Sequence, residues 1–315
     1  MEPVRCTVDA ADIREFYEEL SLDVVAFNID PRLMANFDET MLKAIDRVLK
    51  VYFPSELPRP TIPQDEKVTH ITLAPTVFAN GDSLLPIAIL NVMHVPTDFS
   101  DDVVRGVHWA YQPSGWMNTE IFAWYIETIF IPSVQSRRRQ FELYDRWALL
   151  LVDGHCSRAN PDLMQLCLES GIQVRSFVSH SSHMCQVLDR GIFRAFKTSI
   201  TSMKSRKSYK KPVEWRREMM GHAVTAMRIA TAPGTVCRAW QQSGCWPIDG
   251  KQVLNTSNFP GLGFEKPSDT PPPKRTRKGF KISNRRLTSE QAIREMNKQY
   301  GNPTLDGSSE DEEEI

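Results

Sequence analysis

The chain has 315 residues, 38 Lys plus Arg against 39 Asp plus Glu, a formal net charge of -1 and 41% hydrophobic residues. That length and balance allow a sizeable folded core and exclude a polyionic or low-complexity chain. No apolar run has membrane-spanning length and the N-terminus lacks an apolar signal core, so the expectation is a soluble, intracellular protein with no membrane partner. Six cysteines lie without any C-x-x-C pair, which argues against a zinc ribbon or a disulfide framework.

In chain order, "DAADIREFYEEL" reads as a short helix, and "LMANFDET" as a short apolar strand that ends on Asp38 and Glu39. A Pro-rich connection follows, then two β-rich runs, "KVTHITLAPTVFA" and "SLLPIAILNVMHV", joined by "NGD", a hairpin signal. From Asn118 the period becomes helical: Ile121, Phe122, Tyr125, Ile129 and Phe130 share a face, with Asn118 or Thr119 as cap. "ALLLVD" is a buried strand stopping at Asp153, a helix opens at Pro161, and "IQVRSFV" is a further strand. After a Ser/His turn, Leu188, Ile192, Phe196 and Ile200 form the apolar stripe of another helix. Residues 212–255 look helical, and beyond them Pro, Gly, Ser and charge predict a mostly disordered tail with one short helix at "TSEQAIREMNKQY". Hairpins followed by alternating strands and helices predict an α/β fold, a mixed sheet flanked by helices.

Three apolar segments deliver an acid at or just past an end: Asp38, Asp153 and Asp189. Each has an ordinary turn or cap reading on its own. Neighbouring strands and a crossover helix can bring all three to one sheet edge, where the cluster is costly unless a cation neutralises it. Oxygen-only ligands favour Mg²⁺, with Mn²⁺ as substitute, and two such ions suit in-line displacement at a phosphodiester.

The segments "NFDET", "GWMNTEIFAWYIETIFIPSV", "VDGHCS", "SHSSHMCQVLDRGIFRAFK" and "RAWQQSGCWPID", spread over roughly residues 33–250, resemble the DDE superfamily endonuclease domain of pogo/Tigger/jerky-type transposases. The resemblance implies an RNase H-like core and a DDD triad of Asp38, Asp153 and Asp189, to which the helical run noted above adds a C-terminal extension. It also implies two bound divalent ions, and cleavage and strand transfer on DNA. The chain departs from the family pattern at Arg158, where the family usually has His, and at Val187, where it has Pro.

The expected organisation is a short N-terminal segment (1–30), a catalytic domain (31–203), a basic helical extension (204–254) and the tail (255–315). Only 37 residues precede Asp38, too few for the family's helix-turn-helix domains. A separate DNA-binding chain is therefore one expected partner, besides DNA itself and a second copy of the chain. Lys204, Arg206, Lys207, Lys210, Lys211, Arg216 and Arg217 are candidates for DNA-backbone contact, with a solvated basic face as the alternative. Lys274, Arg275, Arg277 and Lys278 in "PPPKRTRKG" read as a nuclear localisation signal. His155, His180 and His183 read more simply as loop-bonding imidazoles than as metal helpers, and Glu39 as a solvated or outer residue. Two functions stay open: an active metal-dependent nuclease and transposase, or a silent relative acting in nuclear DNA binding or assembly.

Overall fold

A computed structural model describes residues 8–43, 70–91, 99–203, 212–255, 259 and 282–300. Helix α1 (Ala10–Ala26) opens on Asp9, whose side chain accepts from Ala11 N. Strand β1 (Met34–Phe37) leads past Asp38 and Glu39 into β2 (Thr40–Lys43). Strands β3 (His70–Ala74) and β4 (Thr76–Phe78) are separated only by Pro75. Proline offers no N–H to a ladder, and here the chain passes from one sheet to another. Strands β2 and β3 lie in one sheet, and β1 and β4 in the other. The turn Asn80-Gly81-Asp82 follows, with Gly81 at φ +100°. Strand β5 (Ile87–Leu90) then pairs antiparallel with β3, as the hairpin signal predicted.

After helix α2 (Asp101–Arg105) and strand β6 (His108–Tyr111), Asn118 caps α3 (Thr119–Tyr125) by accepting from Ile121 N. A π-helical turn over Ile126–Phe130 joins α3 to α4 (Ile131–Gln140). Strand β7 (Ala148–Val152) follows, then α5 (Pro161–Glu169), capped by Asn160, and β8 (Ile172–Ser176). Helix α6 (Ser182–Cys185), a kinked turn over Leu188–Ile192 and α7 (Phe193–Met203) come next. Helices α8 (Pro212–Ala230), α9 (Pro233–Gln242) and α10 (Glu290–Tyr300) complete the described chain. This is the mixed α/β, RNase H-like arrangement expected, but with the strands divided between two four-stranded sheets, β2-β3-β5-β6 and β4-β1-β7-β8, rather than gathered in one.

Strands β1, β7 and β8 are parallel, and β4 runs antiparallel to β1. Side chains alternate between faces, so Met34, Leu149 and Leu151 join one core cluster while Ala35, Phe37, Leu150 and Val152 join the other. The first cluster draws on α1, α7, α8 and α9, the second on α3, α4, α5 and α10. Burial on both faces explains why "ALLLV" is continuously apolar. Each such Leu side chain contributes roughly 1.5–3 kcal/mol relative to exposure.

The segment from Ile282 to Tyr300 belongs to the fold rather than to a loose tail. Ser176 N donates to Arg285 O at 2.9 Å and Leu287 N to Val174 O at 2.7 Å, covering the edge of β8. Leu287, Ala292 and Met296 are fully buried. Tail residues 260–281 and 301–315 lie outside the described residues, as do the candidates Lys204, Arg206, Lys207, Lys210, Lys211, Lys274, Arg275, Arg277 and Lys278.

Candidate metal centre

The parallel register of β1 and β7 pairs Asn36 with Leu151. Two residues further along each strand stand Asp38 and Asp153, so both acids leave the same end of the sheet. Carboxylate oxygens of Asp38, Glu39 and Asp153 all lie within 4.8 Å of one another. Burial pushes the Asp38 carboxyl well above the usual range, and Glu39, Asp153 and Asp189 push the same way, against a hydrogen bond from Gln186.

Asp189 arrives differently. It sits in the kinked turn before α7, where Gly191 adopts φ +129°, a conformation L side chains rarely take. That break turns the chain between the acid and the helix whose buried Phe193, Phe196 and Ile200 hold it to the core. Asp189 is exposed at the site's rim. Partial desolvation is still the chief upward push on its carboxyl, offset by Lys197 and His183 and reinforced by Asp153.

One side chain ties the three acid-bearing segments together. Asn36, fully buried, donates from Nδ2 to Leu151 O at 3.0 Å and accepts at Oδ1 from Leu188 N at 3.0 Å. It stands two residues before Asp38, and its partners stand two residues before Asp153 and one before Asp189. A buried amide satisfied on both sides fixes the relative placement of β1, β7 and the kinked turn.

Arg158 enters the acid cluster from the 3-10 turn Cys156–Arg158 that follows β7. Its side chain is fully buried, with Nη2 2.8 Å from Glu39 Oε1 and 3.2 Å from Asp153 Oδ1. Nη1 donates to Ser157 Oγ at 2.5 Å, and the guanidinium lies 4.5 Å from the Phe122 ring centroid and 5.4 Å from that of Phe37. Burial opposes its charge, but Glu39, Asp153 and Asp38 outweigh that and hold its proton more tightly than usual. The contact with Asp153 is an ion pair without hydrogen-bond geometry, since buried Asp153 Oδ1 has no hydrogen-bond partner; Arg158 Nε and Gln186 Oε1 have none either.

Sequence reading singled out Asp38, Asp153 and Asp189, and the structure brings Asp38 and Asp153 into one group with Glu39. Glu39 belongs to that group and pairs with Arg158, which fits the outer role expected of it rather than a solvated one. Asn36, Gln186 and Arg158 were missed as site residues. Signals existed for each: a polar residue inside an apolar strand, the Gln of "QVLD", and a basic residue where the resembling family has His. His155 bonds its own loop, with Nδ1 2.9 Å from Ser157 Oγ, while His180 and His183 are exposed. Arg216 needs correction as a DNA-backbone candidate: it is buried, and Nη2 donates to Asn91 Oδ1 at 3.0 Å. The "EWRREMM" pattern turns it inward on α8, while Arg217 is exposed.

The donor set suits a hard divalent ion, because it is all carboxylate and retains a buried oxygen without a hydrogen-bond partner. Three carboxyl groups, those of Asp38, Glu39 and Asp153, share this space with the single guanidinium of Arg158. Acids clustered at the ends of the parallel strands of a mixed α/β fold define the class as a fold with a carboxylate centre. The chain belongs to the DDE superfamily endonuclease family, whose sequence profile matches residues 66–243, more than half of the chain. That span includes Asp153 and Asp189 and begins after Asp38.

A curated relative, "MFS-type transporter clz9" from Cochliobolus lunatus, is 23% identical over 262 residues. The aligned region covers 77% of this chain but 27% of that protein, so the chain spans about a quarter of the relative's length. Among the described residues no helix is long and apolar enough to cross a membrane. Solved structures with a similar arrangement include the Mos1 mariner paired-end complex with Mn (TM-score 0.45, 10% identity, 81% of this chain and 66% of that one). The Mos1 mariner transposase catalytic domain is also similar (TM-score 0.41, 10% identity, 79% of this chain and 98% of that one).

Proposed function

We propose that this chain is the catalytic domain of a transposase, of the pogo/Tigger type by its motifs, that cuts and joins DNA strands with divalent metal ions. The observation that carries this reading is the convergence of Asp38, Glu39 and Asp153 within 4.8 Å at the ends of two parallel strands, in a member of the DDE superfamily. Asp38 and Asp153 would hold Mg²⁺ or Mn²⁺, with Asp189 completing the set from the kinked turn. The bound ions supply activation of the attacking oxygen and neutralise charge at the phosphodiester.

The protein's own contribution is placement and charge. Asn36 fixes the three segments, and Gln186 orients Asp38 by hydrogen bonding. Beside Asp189 an open groove is lined by Phe193, Arg194, Lys197, Thr198, Thr201 and Ser202 of α7. Cations and hydroxyls in such a row fit a phosphate backbone without reading sequence. Lys274, Arg275, Arg277 and Lys278 support a nuclear location, testable by deleting that run from a fluorescent fusion and scoring loss of nuclear enrichment.

A second reading, a silent relative that binds DNA or assembles with other copies, is favoured by Arg158, whose guanidinium already offsets part of the acid cluster. Supercoiled plasmid incubated with the purified chain, with Mg²⁺, Mn²⁺ or chelator, separates the two. Nicking that needs metal and disappears in Asp153→Asn is the expected result. A folded chain that shifts DNA in gels but never nicks it, with either metal, would overturn the enzyme reading in favour of the second.

A further inference from the structure

The acid cluster already contains a cation of the protein's own. Asp38, Glu39 and Asp153 could each turn an oxygen to a shared ion, yet two of the three are engaged by one guanidinium nitrogen: Arg158 Nη2 lies 2.8 Å from Glu39 and 3.2 Å from Asp153. The side chain is completely enclosed, against Phe37 and Phe122, while its acid partners are only partly buried, so solvent screens the pair weakly. Its satisfaction is incomplete, since Nε has no hydrogen-bond partner and Asp153 Oδ1 receives none. A purely structural buried pair would be expected to close both deficits, because unsatisfied buried polar atoms are costly. Here the aromatic faces and Ser157 hold the guanidinium, while its grip on Asp153 is loose.

We propose that Arg158 is a built-in competitor for metal, a positioning residue that occupies the Glu39–Asp153 edge of the centre and must give up Asp153 when a divalent ion enters. This rests on the reading of the acids as metal ligands. Two like-signed cations cannot share the same carboxylate oxygens a few ångströms apart without strong repulsion. The native centre therefore binds metal weakly, and removing the guanidinium charge strengthens binding.

The test is Mn²⁺ binding to the full chain, followed by electron paramagnetic resonance of free Mn²⁺, with Arg158→Gln and Arg158→Met beside the native protein and Asp153→Asn as the ligand-loss control. Both Arg158 variants should bind Mn²⁺ at least about tenfold tighter than native, because a unit charge a few ångströms away carries more than that in a partly buried site. Their thermal midpoints should also gain more from added Mn²⁺ than the native midpoint does. Equal affinity in native and Arg158 variants, with weakened binding in Asp153→Asn, would overturn the competitor role and leave the metal reading intact. Absence of Mn²⁺ binding in every form would instead defeat the metal reading on which the proposal stands.

Should neither neutral variant fold, the native protein supplies the check. Its Arg158 side-chain NH resonance, identified by its loss in Arg158→Lys, should shift on Mg²⁺ titration with the same midpoint as Mg²⁺ binding. A resonance unmoved at saturating Mg²⁺ would overturn the proposal.

Discussion

Two buried arginines flank the central strands, and they are partnered in opposite ways. Arg175 on β8 donates to Asp23 at 2.8 Å and to Glu19 at 2.7 Å, and Arg286 reaches the other oxygen of Asp23 at 3.0 Å. Two acids meet two guanidiniums, and the network ties α1 and the C-terminal segment to the sheet. Arg158 faces Glu39 and Asp153 with Asp38 and Asp189 beyond, so acid outnumbers base. Desolvation makes imbalance expensive in the interior, so a balanced network reads as structure and an unbalanced one as a place prepared for a further cation. Local sequence cannot separate the two, since Glu39 lies 119 residues from Arg158 and Asp23 lies 152 residues from Arg175.

The largest effect expected from this contrast is at the unbalanced centre. Asp153→Asn should reduce metal-dependent nicking by more than about a hundredfold, since loss of an outer partner of a metal ligand already costs 10–100-fold. Circular dichroism should stay native-like, and the loss should be read in a plasmid-nicking assay. The balanced network should respond in stability instead. Arg175→Met leaves Asp23 buried with only Arg286, and urea unfolding should show a loss of about 3–5 kcal/mol whether or not Mg²⁺ is present. A Mg²⁺-dependent loss would break the contrast.

Asn36→Ala bridges the two kinds of effect. Removing the amide orphans Leu188 N and weakens the β1–β7 link, so unfolding should show a loss of about 1–3 kcal/mol. Mn²⁺ affinity should fall by about 10–100-fold, because the acids lose their common anchor.

The smallest effect belongs to an ordinary ion pair. Asp82 meets Arg137 Nη2 at 2.7 Å, and against the upward push of burial, Asn80 and Arg137 hold its carboxyl below the usual range. A carboxyl depressed in the folded state stabilises above its unfolded pKa, and that contribution is lost as pH falls through the folded value. Asp82→Asn should therefore lower stability at neutral pH by less than about 1 kcal/mol, with the difference vanishing in acid, measured by thermal melts across pH.

The strands and helices were legible because their apolar spacing is local. The Leu188, Ile192, Phe196 and Ile200 stripe is buried throughout, and Asn118 and Asn160 both cap the helices they precede. Two features resisted: the kink at Gly191 inside that stripe, where periodicity alone predicts an unbroken helix, and the packing of 282–300, whose polar composition resembles a tail. Both depend on contacts with distant strands.

By itself the sequence determined the α/β alternation, the three acids at element ends and the family motifs, because each is written in neighbouring residues. Tertiary structure decided that Glu39 joins Asp38 and Asp153, that Asn36 binds the three acid-bearing segments, that Arg216 is buried and that Arg158 stands inside the cluster. The physical reason is that charge balance and hydrogen-bond satisfaction belong to a volume. Residues 39, 153 and 158 share that volume only after β1 and β7 have paired.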